Sequence, residues 1–183
     1  MDYKEEIIKY LKNTEGNLQG EWTDDMTPFS MLAASAEEYL HENKNEGKIA
    51  ALFIYQQLCI EMMKVLIIYS NFYEKLAVYP TKKEFKSFKE NVSYSEVLNE
   101  LKYKIEFKNK KKLIQKIKEI NDLRNKFGHE LFSQWWKHDI QKDLLNLYEK
   151  FENIFEIYGI CQYDLIQKIK ILKAKPEIEK LYK

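Results

Sequence analysis

Glycine and proline are scarce in this chain, with five and three among 183 residues, and arginine occurs once. So few turn formers, beside 32% charged residues, exclude a turn-rich β architecture and point to long helices. The two cysteines, Cys59 and Cys161, sit far apart within apolar helical patterns and lack any Cys-x-x-Cys spacing. That excludes a disulfide framework and a zinc ribbon, and leaves both thiols as reduced core residues. No uncharged run in the most apolar segment, Ile49 to Leu76, exceeds the twelve residues before Glu61, where a bilayer needs roughly twenty. No membrane span is therefore expected. The charged start, Asp2 to Glu6, has no signal-like apolar run, so the expected location is cytoplasmic. Glycine-rich phosphate loops, a Ser/His/Asp order and a nucleotidyltransferase motif are also missing. His41 and His138 stand without ligand-type partners at a recognisable spacing, so no metal and no cofactor is expected.

What remains is strong helical patterning. A chain of this length suits one domain, residues 1–183, and the expected fold is all-α: an antiparallel bundle of about five long helices plus short ones. Helix one should cover Asp2 to Lys12 and end near Glu15-Gly16, followed by a polar connection from Asn17 to Met26. Thr27 should cap a second helix with Pro28 in its first turn and Phe29, Leu32, Ala33, Ala36 and Leu40 on its buried stripe. His41 to Gly47 should break that helix. The central helix, Lys48 to about Leu76, is apolar nearly all round and ends at Tyr79-Pro80-Thr81. Two capping boxes follow, Thr81 with Glu84 and Ser93 with Glu96, each marking a helix start. A basic helix should run from about Asn109 to Phe127, with Gly128 as its stop. Leu131 to Trp136 reads as an aromatic connection. Ile140, Leu144, Leu147, Phe151, Ile154 and Tyr158 then define a helix from Asp139 to Tyr158, stopped by Gly159. A last helix, Cys161 to Ala174, should bury Leu165, Ile169 and Leu172 and leave a frayed tail beyond Pro176.

The net charge of +1 hides a split. Residues 1–46 carry eleven acidic and four basic side chains, while 102–126 carry ten basic against three acidic. Such a basic stretch offers a phosphate-contacting surface along Lys108 to Lys118, with Lys112, Lys116 and Lys126 as candidate RNA contacts. A solvated helix face explains the same lysines. Trp135 and Trp136 are suited either to stacking on unpaired bases or to core packing.

The lone arginine lies at the end of this stretch. Leu113, Ile117, Ile120, Arg124 and Phe127 fall on one stripe of period 3.6, so Arg124 stands where a leucine is expected, bordered by Asn121 and Asn125. A guanidinium there costs several kcal/mol, on the order usual for an unpaired buried charge, unless it has a partner or a use. If Gly128 ends the helix, His129 is free to turn back toward Arg124.

Arg124-Asn125, three further residues and His129 resemble the Arg-polar-x(3–5)-His signature of the HEPN superfamily. These are small all-helical domains, many of them metal-independent endoribonucleases of toxin–antitoxin, phage-defence and CRISPR-associated systems. The likeness covers six residues; a long preceding helix with Tyr55, Glu61 and Lys64 is a looser point of similarity. The resemblance implies catalytic roles for Arg124, His129 and Asn125, single-stranded RNA as substrate, attack by the ribose 2′-hydroxyl, a symmetric homodimer whose two motifs meet in one cleft, and an antitoxin protein as the restraining partner. The chain continues His129-Glu130-Leu131, without the His-x-Tyr of the subgroup blocked by nucleotidylation, so that control is not expected. A non-catalytic helical module for binding or dimerisation is the alternative, in which Arg124 pairs with a buried carboxylate.

Overall fold

The structure, a computed structural model, describes residues 3–13, 27–42, 44–85, 92–130 and 140–181. Among these the fold is all-α: α1 (Tyr3–Asn13), α2 (Thr27–His41), α3 (Asn45–Val78), α4 (Tyr94–Tyr103), α5 (Lys110–Glu130), α6 (Ile140–Asp143), α7 (Leu147–Lys173) and α8 (Pro176–Glu179). No strand occurs among the described residues.

The chain forms two compact units, one from Met26–Met62 and Asn109–Gly159, the other from Met1–Asp25, Met63–Lys108 and Ile160–Lys183. The divisions fall inside α3 and α7, so each of these helices contributes to both units. In the first unit Leu52, Tyr55, Leu58 and Met62 of α3 are buried with Leu113, Ile117, Ile120 and Phe127 of α5 and with Leu147, Phe151 and Ile154 of α7. Tyr55 stacks on Phe151 with ring centroids 4.1 Å apart, an aromatic pair worth about 1 kcal/mol beyond its area. In the second unit Ile7 and Leu11 of α1, Leu66 and Ile67 of α3, Val97 and Leu101 of α4, and Leu165 and Ile169 of α7 form the core. Lys173 donates to the Leu11 carbonyl at 3.3 Å and Gln162 to the Tyr69 hydroxyl at 3.3 Å, so polar edges of that core are tied as well.

Helix α3 is the longest element, at 34 residues, and contains an 18-residue window of mean hydropathy 1.6. By length and composition it could cross a membrane, but 61% of that window is buried against protein, as in the core helix of a bundle. Both cysteines are buried and free, and burial pushes each thiol up to about 12.

Several expected boundaries move. Gly47 lies inside the first turn of α3 and not in a break, because a Cβ there would overlap the Tyr39 carbonyl oxygen; glycine permits that close backbone approach. On α2 only Ala36 of the expected stripe is buried: Leu32 is exposed, with Met31 beside it. Thr81 to Phe85 are not helical, and Glu84 pairs with Lys82 instead of closing a capping box. Phe88, Asn17 to Met26 and Leu131 to Trp136 lie outside the described residues. The expected helix from Asp139 is broken at Asn146, whose φ of 59° no helix accommodates. Gly159 does not stop α7. The buried positions Ile154, Ile157, Cys161, Leu165, Ile169 and Leu172 form one continuous stripe past it, and an exposed mid-helix glycine costs only about 1 kcal/mol against that much burial. Pro176 begins α8, where its missing N–H is no loss, and Ile178 is buried rather than frayed.

Candidate functional site

Helix α5 begins after Asn109, whose positive φ of 63° suits asparagine, and carries the basic stretch. Leu113, Ile117, Ile120 and Phe127 are buried as the stripe predicts. Arg124, at the centre of that stripe, is only partly covered. Its guanidinium lies 5.3 Å from the ring centroid of Phe53 on α3, and its Nη1 donates to Asn125 Oδ1 at 3.3 Å. Its Nε is buried with no hydrogen-bond partner, and among the described residues no carboxylate pairs with it. Gln56 Nε2 donates to Asn121 Oδ1 at 3.5 Å and joins the same two helices one turn earlier.

These contacts do not balance in favour of stability. A partly buried cation over an aromatic ring gains about 1 kcal/mol. An unsatisfied buried N–H costs about 1–3 kcal/mol. A leucine at position 124 would serve the fold at least as well, and the Nε has no acceptor among the described residues.

The helix runs through Gly128 to Glu130, so the expected stop at Gly128 is corrected. A Cβ at 128 would stand 3.6 Å from Arg124 Nη1, an ordinary contact, and the glycine leaves the guanidinium room. His129 is therefore helical and does not follow a turn. At about 100° per residue, it sits about 140° round the helix from Arg124. One turn of chain thus places the two residues on different faces of α5. The same phase puts position 129 on the face of Lys111 and Lys118, both exposed, eighteen and eleven residues back in steps that complete nearly whole turns.

Of the three candidate RNA-contacting lysines, Lys112 is exposed, Lys116 is bridged to Glu119 at 2.9 Å and Lys126 to Asp143 at 2.9 Å. Half-exposed pairs of this kind contribute at most about 1 kcal/mol and can yield to a phosphate. Lys111, Lys112 and Lys118 need no such exchange. Phe53 was legible only as core filling; it is partly exposed, and its contact with Arg124 crosses 71 positions of sequence that no local spacing reveals. Lys111 and Lys118, by contrast, share their phase with His129 in the sequence itself. Trp135, Trp136 and His138 lie outside the described residues. No group of three or more His, Cys, Asp or Glu side chains is arranged to hold a metal ion among the described residues.

In comparison with known proteins, the chain matches no family model, no curated protein and no solved structure.

Proposed function

We propose that the protein is a metal-independent endoribonuclease of HEPN type acting on single-stranded RNA. The observation that carries this reading is Arg124: a guanidinium on a core stripe, positioned by Phe53 and Asn125, with no carboxylate among the described residues. In the proposed reaction the ribose 2′-oxygen attacks the adjacent phosphorus and the 5′-oxygen of the next nucleotide leaves. His129 moves the proton, for which an ordinary histidine pKa of roughly 6.5 is suitable. Arg124 stabilises the charged phosphorane by paired hydrogen bonds, with Asn125 orienting it. The products are a 2′,3′-cyclic phosphate and a free 5′-hydroxyl.

The unbroken helix makes a second copy of the chain necessary to this reading. With positions 124 and 129 about 140° apart, one phosphate is best reached by Arg124 of one copy and His129 of another across a two-fold axis. The polarised basic face, now Lys111, Lys112 and Lys118, guides the RNA backbone, with Lys116 and Lys126 joining once their carboxylates are displaced. A cytoplasmic toxin or phage-defence effector restrained by an antitoxin protein fits such an activity.

The same continuity of α5 favours the alternative, a non-catalytic helical module, if no second copy completes the site. Incubating the purified protein with single-stranded RNA in EDTA and analysing the new ends separates the two. Cyclic phosphate ends support the nuclease. Intact RNA together with a stable dimer by sedimentation supports the module, and intact RNA with a monomer removes both the cleft and the dimer.

A further inference from the structure

Two contacts tie α3 to α5 beside the candidate site. Arg124 faces Phe53, and three residues away on each helix Asn121 faces Gln56. Residue numbers rise on α3 as they fall on α5, so the helices run antiparallel here and the contacts form two rungs about 4.5 Å apart. In the first rung Phe53 is 37% exposed, and the guanidinium, 5.3 Å from its centroid, stands near the outer reach of a cation–π contact, about 6 Å. More than a third of Phe53 therefore stays open to solvent beside a cation. Gly128 adds no side chain to crowd that cation, since even a Cβ there would stand 3.6 Å from Nη1. The second rung is neutral. Gln56 Nε2 donates to Asn121 Oδ1 at 3.5 Å, long for such a bond, and neither side chain has another hydrogen bond among the described residues. Gln56 Oε1 and Asn121 Nδ2 thus keep an acceptor and donors for another molecule.

We infer that Phe53 is a stacking platform for an unpaired RNA base beside the phosphate held by Arg124, and that the Gln56–Asn121 pair meets the edge of that base. The inference rests on the nuclease reading for its ligand and adds to it a residue that holds a base rather than the backbone. An aromatic ring can stack on a base only where no paired neighbour covers the base, which accounts for single strands as the substrate. Arg124 and Phe53 then divide one nucleotide between them. The guanidinium takes the charged phosphate through its donors, and the ring takes the flat base. A carboxamide presents an acceptor and a donor side by side, the pattern with which glutamine and asparagine read a base edge. Phe53 is a positioning residue here, and it fixes where along the strand the phosphate sits.

The probe is a short single-stranded oligonucleotide, all 2′-deoxy so that no 2′-hydroxyl can attack, carrying 2-aminopurine, whose fluorescence falls when it stacks. The full-length parent should bind it and quench it. Phe53→Leu keeps an apolar side chain but loses the flat ring, and should weaken binding about tenfold and abolish the quenching, with the melt unaltered. Phe53→Trp should retain both. The inference is overturned if the parent neither binds nor quenches the probe, or if Phe53→Leu does both as the parent does. It is also overturned if Phe53→Leu sediments as a monomer where the parent is a dimer, because a second copy of the chain would then cover the ring. Cleavage of RNA in EDTA is measured alongside. Quenching that depends on Phe53 in a parent that cleaves no RNA supports the base platform and removes the nuclease reading, whereas cleavage with quenching indifferent to Phe53 does the reverse.

Discussion

At the start of α4, Ser93 and Glu96 satisfy each other: Ser93 N–H donates to Glu96 Oε2 at 2.9 Å and Glu96 N–H to Ser93 Oγ at 3.3 Å. Near the end of α5, a buried arginine nitrogen has no partner, and the residue after it in the motif lies on another face. Both regions are polar interruptions beside apolar stripes, but they serve different ends. The first closes its hydrogen bonds within three residues and stabilises a helix. The second leaves a strong donor open, which lowers stability and is characteristic of places where a protein keeps a group for a ligand. Changes at α4 should register in the melt, and changes at α5 in activity.

The sharpest break between the two regions comes from His129→Ala. RNA cleavage should fall by on the order of 10²-fold to 10⁴-fold, as for loss of a proton-transfer group, with the far-ultraviolet melt not lowered because alanine favours a helix more than histidine. A melt that collapses would make His129 a packing residue. Next come two changes of about 1 kcal/mol and opposite sign. Ser93→Ala should lower the urea midpoint by removing the capping box, with cleavage unchanged. Arg124→Met should raise the midpoint, because it replaces an unsatisfied cation on a core stripe with an apolar side chain, while cleavage is lost. A destabilised Arg124→Met protein would mean that the arginine supports the fold and that α4 and α5 do not differ in the way described.

The smallest effect concerns a helix interior. Gly159 is exposed in mid-helix, with nothing within 4 Å of an added Cβ. Gly159→Ala should stabilise the protein by roughly 0.5–1 kcal/mol through backbone entropy and helix propensity, with cleavage unchanged. A loss of stability would point to a contact that the continuous α7 does not show.

What was legible in the sequence follows the same division. Ser93 and Glu96 carry their own hydrogen-bond partners within one turn, so the local signal was sufficient, and Val97, Leu98 and Leu101 are buried behind it. The stripes of α5 and α7 were equally readable, because a 3.6-residue period needs no knowledge of the partner helix. Gly128 and Gly159 misled as stops because glycine permits a helix end without enforcing one. Gly159 instead marks the last residue of one unit, inside a helix that continues through it. Leu32 misled because periodicity assigns a face to a core without telling whether anything covers it. At the candidate site, Arg124 was conspicuous by its position, whereas its partner Phe53 comes from a helix distant in sequence. The bent-back His129 depended on the glycine stop and failed with it, which is why the proposed chemistry now needs two copies of the chain.

Single-turnover cleavage of single-stranded RNA in EDTA, comparing the parent with Arg124→Lys, tests the central claim most directly. Lysine keeps the charge over Phe53 but loses the planar fork that holds a phosphate through two hydrogen bonds. The account predicts cleavage by the parent and a loss of on the order of 10²-fold or more in the variant, the scale of removing one transition-state donor. Equal cleavage by the two proteins, or no cleavage by the parent until a divalent metal is restored, would contradict it.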